Sequence, residues 1–327
     1  MKTAVIGSGN MGTAIALVLA DNGHSVACWD HVPEVVEDIR KNHHNQRFLP
    51  GANLPPLVTA DHLLHHVVRE AQIIVICVPS PYFAQVVKEF SPFAVPQALV
   101  VGTSKGLEAV TGKRMSEVYA GVSPHPGENY LVLSGPSIAN EFAQKRPTAV
   151  VVAGKLPQAQ KAAEVFRNPY FHVEVSGDLA GAEIGGVLKN IYAIGFGLLD
   201  GLNHGSANLK SAFATLALSE MKTAAAHWGA KPETLDGLAG LGDLITTGFS
   251  RDSHNRRLGE LLGSGVEREK ALARLGISLP EGAQNSPIVL RALGPGSSVP
   301  LAQLIQTCLN QPSARTKFID DVCRLLA

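Results

Sequence analysis

Three observations predict an α/β chain in which an N-terminal doubly wound, mostly parallel sheet is followed by an all-α C-terminal domain. Short β-branched runs alternate with helical segments up to residue 178. The run IIVIC is apolar throughout, as a central strand covered on both faces requires. Beyond Asp178 strand patterning gives way to long apolar-periodic stretches. The 327 residues exceed the size at which one core usually keeps growing. Two domains are therefore expected, 1–178 and 179–327, with the boundary in SGDLAGAE, where composition changes most sharply.

In chain order the strands are TAVI, SVACW, QIIVICV, ALVVGT, YLVLSG, TAVVVAG and FHVEVS, and the later helical segments are 182–199, 207–228, 254–263, 284–293 and 300–326. The first strand runs into GSGNMG, residues Gly7, Ser8, Gly9, Asn10, Met11 and Gly12. Gly7 permits the tight turn, Gly9 lets the backbone approach a pyrophosphate, and Gly12 allows close packing of helix on sheet. The helix that follows turns its dipole and free N–H groups toward the phosphates. Asp30 ends the next apolar strand at the fingerprint spacing, where its carboxylate can accept from both ribose hydroxyls and repel a 2′-phosphate. NAD is thus favoured, while the neighbouring His31, if protonated, would partly offset that repulsion and leaves NADP open.

Acidic and basic residues number 28 each, so no global field attracts nucleic acid or an anionic membrane. With 45% hydrophobic and 17% charged residues the chain can bury a large core, and its apolar stretches are interrupted by polar residues or glycine before bilayer length. A first strand beginning at Thr3 leaves no room for a cleavable leader, and a cytoplasmic location is expected. Cys28, Cys77, Cys308 and Cys323 fall at no metal or redox spacing, and His43, His44, His62, His65 and His66 lack accompanying ligands; no metal site is expected.

In AEIGGVLKNIYAIGFGLL a helix would place Ala182, Gly186, Asn190, Ala193 and Gly197 on one small-residue face. Four glycines in one helix need a packing reason, and contact with the cofactor domain would supply it. Lys189 would then stand where the two domains meet. A lysine there can protonate a carbonyl oxygen as hydride arrives at carbon, although a structural ion pair is the competing use. Asp243, in a loop of small residues (AGLGDLITTG), can orient Lys189 and favour its charged form. Lys105 follows the strand ALVVGT, at the carboxyl edge of the sheet, and SGPS (Ser134 to Ser137) follows another strand, with amides and Ser137 able to meet an anion.

With GSGNMGTA, NQRFLPG, VPS, SKGLE, SGPSIANE, GGVLKNIYAIG, AGLGDLITT, SHNRRLG and PEG in this order, the chain resembles the bacterial NAD(P)-dependent glycerol-3-phosphate dehydrogenase family over nearly its whole length. The resemblance implies a Rossmann-type domain followed by a helical domain of the 6-phosphogluconate dehydrogenase C-terminal type. It implies reversible reduction of dihydroxyacetone phosphate to sn-glycerol 3-phosphate for phospholipid synthesis. Dimerisation is common in the family, which makes a homodimer a candidate assembly. By the same resemblance Lys189 is the proton donor and acceptor, with Lys105, Asp243 and Asn190 beside the reacting carbonyl. Gly135, Ser137, Ser253, His254 and Asn255 are then substrate contacts. Pro79, Lys105, Ala139, His254 and Glu281 join the glycine-rich loop, Asp30 and His31 at the cofactor.

Three departures concern the substrate's anion. His254 stands where the family usually has arginine, Leu216 where its helix usually carries another, and SAN at Ser206 to Asn208 replaces glycine-aspartate-asparagine. Arginine grips phosphate with two parallel hydrogen bonds and is always charged, whereas histidine is largely neutral at pH 7. One expectation is that Lys105, Lys210, Arg256 and the helix N-terminus at Ser253 still hold phosphate. The alternative is another phosphorylated, phosphonylated or carboxylated hydroxy or keto compound. A nucleotide sensor that had lost the reaction would have no use for Lys105, Lys189 and Asp243.

Overall fold

The computed structural model describes residues 1–277 and 279–327 and divides into two compact units: Met1–Ser104 with Lys113–Leu179, and Lys105–Gly112 with Ala180–Ala327. Lys105–Gly112 thus departs from a simple division at 178/179. Leu107 is buried in the helical core, and the Gly112 carbonyl accepts from Trp228 Nε1 at 3.1 Å.

The first unit holds an eight-stranded sheet in the order β3-β2-β1-β4-β5-β6-β7-β8. Its strands are β1 (Lys2–Ile6), β2 (Ser25–Trp29), β3 (Val58–Ala60), β4 (Ile73–Ile76), β5 (Leu99–Gly102), β6 (Tyr130–Ser134), β7 (Thr148–Ala153) and β8 (Phe171–Ser176). All pairings are parallel except β6 with β7. Only β3 is missing from the sequence expectation, because three residues at an edge are too few to show a period. β4 is buried throughout, which is why its sequence does not alternate. Strand order reverses between β1 and β4, and open α/β sheets bind ligands beyond the carboxyl ends of their strands at such a switch point. Gly7 lies there, directly after β1, with φ +94.

In the second unit the Leu179–Gly201 helix is the centre, with every residue from Gly181 to Leu199 buried. By length and hydropathy it is long and apolar enough to cross a membrane, yet it is wholly enclosed by protein. Around it lie helices Ala207–Ala225, Asp243–Phe249, His254–Gly263, Arg268–Leu275, Glu281–Leu293, Pro300–Asn310 and Phe318–Leu326. The expected segment 300–326 is therefore broken after Asn310, where Gln311 is extended ahead of a proline.

Gly185, Gly195, Gly197 and Gly201 of the central helix serve packing inside this unit, which corrects the expected contact of Gly197 with the cofactor domain. A Cβ at Gly197 would lie 1.9 Å from the Arg256 carbonyl oxygen, and one at Gly259 would lie 2.0 Å from that of Ile194. Gly201 and Gly263 repeat the close approach one turn on, so two small-residue ridges bring the backbones together. Gly185 has a different neighbour, the Ala239 carbonyl, which would be 2.3 Å from an added Cβ. That approach seats the π-turn Leu238–Gly242 against the central helix one turn before Lys189.

Asp243 is accordingly not on a flexible loop. The π-turn passes directly into the Asp243–Phe249 helix, of which Asp243 is the first residue, and both sides of the turn are close-packed. At Gly240 an added Cβ would stand 2.1 Å from the Leu235 carbonyl oxygen. A run of small residues that suggests mobility in sequence is here the means of tight backbone contact.

Candidate active site

In the helical unit the Lys189 ammonium donates to Asp243 Oδ1 at 2.9 Å and to Thr247 Oγ1 at 2.6 Å, while Lys105 donates to Asp243 Oδ2 at 2.6 Å. One carboxylate thus carries an ammonium on each oxygen. Thr247 is four residues beyond Asp243, on the same helical face, and its own hydroxyl also lies 3.3 Å from Oδ1. The side chains of Lys189 and Asp243 are only 8% and 2% exposed, so these charges act on one another with little solvent screening.

Burial pulls the Lys189 ammonium down to about 8; Asp243 opposes the shift and Lys105 adds to it. For Asp243 burial pushes the carboxyl up, but Lys105 and Lys189 together outweigh it and hold the acid below its ordinary range. The outcome is an anion between two cations, one of which is brought to about 8. Such a group is suited to moving a proton in either direction.

Beside this triad runs an amide chain. Asn190 Nδ2 donates to Glu281 Oε2 at 3.0 Å, Asn255 Nδ2 donates to Asn190 Oδ1 at 3.0 Å, and the Gly282 amide donates to Asn255 Oδ1 at 2.8 Å. Gly282 has to be glycine, since a Cβ would meet the Asn190 carbonyl oxygen at 2.2 Å. Burial raises the Glu281 carboxyl above its usual value, against the pull of Lys189 and Lys105. Ser253 caps the His254–Gly263 helix by accepting from the Arg256 amide at 3.2 Å.

His254 opens that helix. Burial, reinforced by the Arg257 charge and opposed by Asp252, lowers its pKa and favours the neutral ring. Two of the cations expected to compensate are otherwise engaged. Lys210 pairs with Asp200 Oδ1 and Arg256 with Asp200 Oδ2, each at 2.5 Å, and Arg256 also reaches Glu260. Each therefore shares its charge with a carboxylate that the other also neutralises.

The sheet unit assembles the glycine-rich loop. The Gly7 amide donates to the Trp29 carbonyl at 2.8 Å, and a Cβ at Gly12 would lie 1.9 Å from the Gly7 carbonyl oxygen. At Gly9 a Cβ would meet nothing within 4 Å, so the face of the loop is open. Helix Asn10–Asp21 has no side-chain cap and no acidic residue in its first turn. An uncapped helix start behind an open glycine face fits the pyrophosphate of a dinucleotide. Asp30 is 6% exposed; it accepts from the Ser8 amide at 2.7 Å and the Val32 amide at 3.0 Å, so it braces the loop and retains only part of its acceptor capacity for a ribose. His31 lies beside it, Nδ1 to Oδ1 at 3.1 Å. Met11 packs on the sheet core, Pro79 precedes helix Ser80–Phe90, Gly135 has φ +112 after β6, Ser137 donates to the Gly135 carbonyl at 2.9 Å, and Ala139 is buried. His62 pairs with Glu37 and His66 with Asp61, and among the described residues no group of three or more side chains is arranged for a metal.

Residues 2–160 match the family model for the NAD-dependent glycerol-3-phosphate dehydrogenase N-terminus, and residues 178–320 match that for its C-terminus. The chain belongs to the NAD-dependent glycerol-3-phosphate dehydrogenase family. It is 40% identical over 260 residues to glycerol-3-phosphate dehydrogenase [NAD(P)+] of Chlorobium phaeobacteroides, covering 79% of this chain and 78% of that one. The enzyme of the same name from Anaeromyxobacter dehalogenans is 42% identical over 258 residues, covering 78% and 77%. Among solved structures, glycerol-3-phosphate dehydrogenase from Coxiella burnetii superposes with a TM-score of 0.90 at 33% identity, covering 98% of each chain. The chain is thus an oxidoreductase of the CH–OH class with an NAD(P)-binding Rossmann-type domain.

Two polar residues not singled out from the sequence join these arrangements, Thr247 beside Lys189 and Asn45 beside the glycine-rich loop. Thr247 was recoverable from the i,i+4 spacing, had Asp243 been recognised as helical. Asn45, in NQRFLPG, donates to the Ser8 carbonyl at 2.7 Å and to Thr13 Oγ1 at 2.8 Å, supporting the glycine-rich loop from below. The loop's close contacts give a direct expectation for Gly12→Ala. The added methyl must push the loop from the helix, so NADH affinity, measured by fluorescence titration, should fall at least about tenfold, with a lower melting temperature. Unchanged affinity would mean that the loop does not hold the dinucleotide.

Proposed function

We propose that the chain reversibly reduces dihydroxyacetone phosphate to sn-glycerol 3-phosphate, with the sheet unit holding NADH or NADPH and the helical unit carrying the proton chemistry. The observation that supports this most is the buried Lys105–Asp243–Lys189 cluster, in which one lysine is brought to about 8. The bound nicotinamide supplies the hydride. Lys189 donates a proton to the carbonyl oxygen as that oxygen gains charge, and in the oxidative direction its neutral amine takes the alcohol proton. Asp243 keeps Lys189 oriented. Lys105 adds positive charge beside the developing alkoxide. Asn190, pinned between Glu281 and Asn255, offers a fixed amide to the same region.

Gly135, Ser137, Ser253, His254 and Asn255 are proposed as further substrate contacts, with neutral donors and the Ser253 helix start replacing part of an arginine clamp. A neutral His254 and the engagement of Lys210 and Arg256 by Asp200 also favour a second reading, a substrate with a different anionic group. The two separate in an absorbance assay with NADH and NADPH against dihydroxyacetone phosphate and ketones in which phosphate is absent or replaced by phosphonate or carboxylate. Phosphate-dependent oxidation of the cofactor is expected. His254→Arg should then lower KM for dihydroxyacetone phosphate about tenfold, the worth of one added charge-assisted hydrogen bond. Turnover only with another ketone, further weakened by His254→Arg, would transfer the assignment to that compound.

A further inference from the structure

Lys105 reaches Asp243 from a segment whose neighbours on both sides in the chain belong to the sheet unit. Its placement therefore depends on whatever holds Lys105–Gly112 to the helices. Several ties exist, and two act on the Lys105 backbone itself: Glu281 accepts from its amide, and Asn285 holds its carbonyl. Asn285, 2% exposed on the Glu281–Leu293 helix, donates from Nδ2 to the Lys105 carbonyl at 3.1 Å and accepts at Oδ1 from the Leu107 amide at 3.1 Å. Both halves of one carboxamide are used on one short stretch of backbone, which matches a donor and an acceptor two residues apart and fixes the stretch in direction as well as position. The more distant ties, Arg291 to the Ala109 carbonyl and Trp228 to that of Gly112, act four and seven residues further along the chain.

We propose that Asn285 is a positioning residue for Lys105, a two-point clamp on the backbone that holds the lysine where its ammonium reaches Asp243. This rests on the proposed role of Lys189 as proton carrier. The groups that face Lys189 are Asp243 and Thr247 on one helix, Glu281 on a second, and Lys105 on the clamped segment; Lys105 is the cation of that set, and its repulsion favours loss of the Lys189 proton. Releasing the clamp lets Lys105 swing away, removes that repulsion and leaves Asp243 with a single counter-ion.

Two readouts test the clamp in the full-length protein, one independent of turnover. Trace acetylation with acetic anhydride, followed by peptide mass spectrometry, should show Lys105 labelled at least about fivefold faster in Asn285→Ala, with the exposed Lys270 as the unchanged reference. In the kinetic arm, kcat for ketone reduction should fall about tenfold with NADH affinity unchanged, and the high-pH limb of the profile should move upward. In a Lys105→Met background the same substitution should have almost no effect on kcat, because the residue acts through Lys105. Should Asn285→Ala fold poorly, Asn285→Ser keeps an acceptor for the Leu107 amide and should give intermediate labelling. Unchanged Lys105 labelling in the folded variants, or an equal loss of kcat with and without Lys105, would overturn the clamp. A wild-type protein inert toward every ketone but with Lys105 labelling released by Asn285→Ala would overturn the proposed reaction and leave the clamp standing.

Discussion

Lys189→Met is expected to lower kcat for ketone reduction by about a hundred- to ten-thousand-fold, the range associated with loss of a positioned general acid, while NADH affinity changes little. The methionine has similar length and no proton to give. In the wild-type protein, reduction requires the ammonium, so its rate should hold below pH 8 and fall as pH rises through about 8; oxidation requires the free amine and should rise over the same interval. Lys189→Met should lose both limbs. Lys189→Arg, which stays charged, should retain no oxidative activity. Rates measured in both directions across pH 6 to pH 10 would decide the matter, and a mutant with wild-type turnover would remove the lysine from the mechanism.

Asp243→Ala is expected to have the second-largest effect, on both stability and rate. It leaves two ammonium groups close together, one of them buried, with no counter-ion, and breaking a buried pair in this way typically costs about 3–5 kcal/mol. Denaturant unfolding should show the loss. Asp243→Asn preserves shape and the Thr247 contact but not the charge. In that variant Lys189 loses its main stabiliser, its pKa drops further below about 8, and the reductive limb moves to lower pH, opposite to the direction expected on freeing Lys105. A purely structural ion pair would lower stability in both variants and leave the pH profile where it was.

Much of the fold was legible because its signals are local. The glycine-rich loop, the apolar central strand and the loss of strand pattern after Asp178 are each contained in a few consecutive residues, and the backbone sterics that interpret them act over the same range. Lys189 drew attention as a charge in an otherwise apolar helix. Its pairing with Asp243 was expected from the sequence, but the burial that lowers its ammonium and the second contact on that carboxylate, from Lys105 138 residues away, were not legible. Small residues were the main source of error. AGLGDL has the composition of a mobile loop and is a π-turn, because the same lack of side chain that loosens a free chain lets Gly185 and Gly240 bring backbones into contact.

From sequence alone came the two-part architecture, the dinucleotide loop and the candidate lysines and acid, all properties of composition, period or spacing. Tertiary structure alone decided which charges neutralise which. Lys210 and Arg256 share Asp200 as a counter-ion, and Asp30 accepts from two backbone amides while keeping part of its acceptor capacity, none of which the sequence shows. Coulomb energy depends on distance and on burial, and neither exists until remote segments have been packed together.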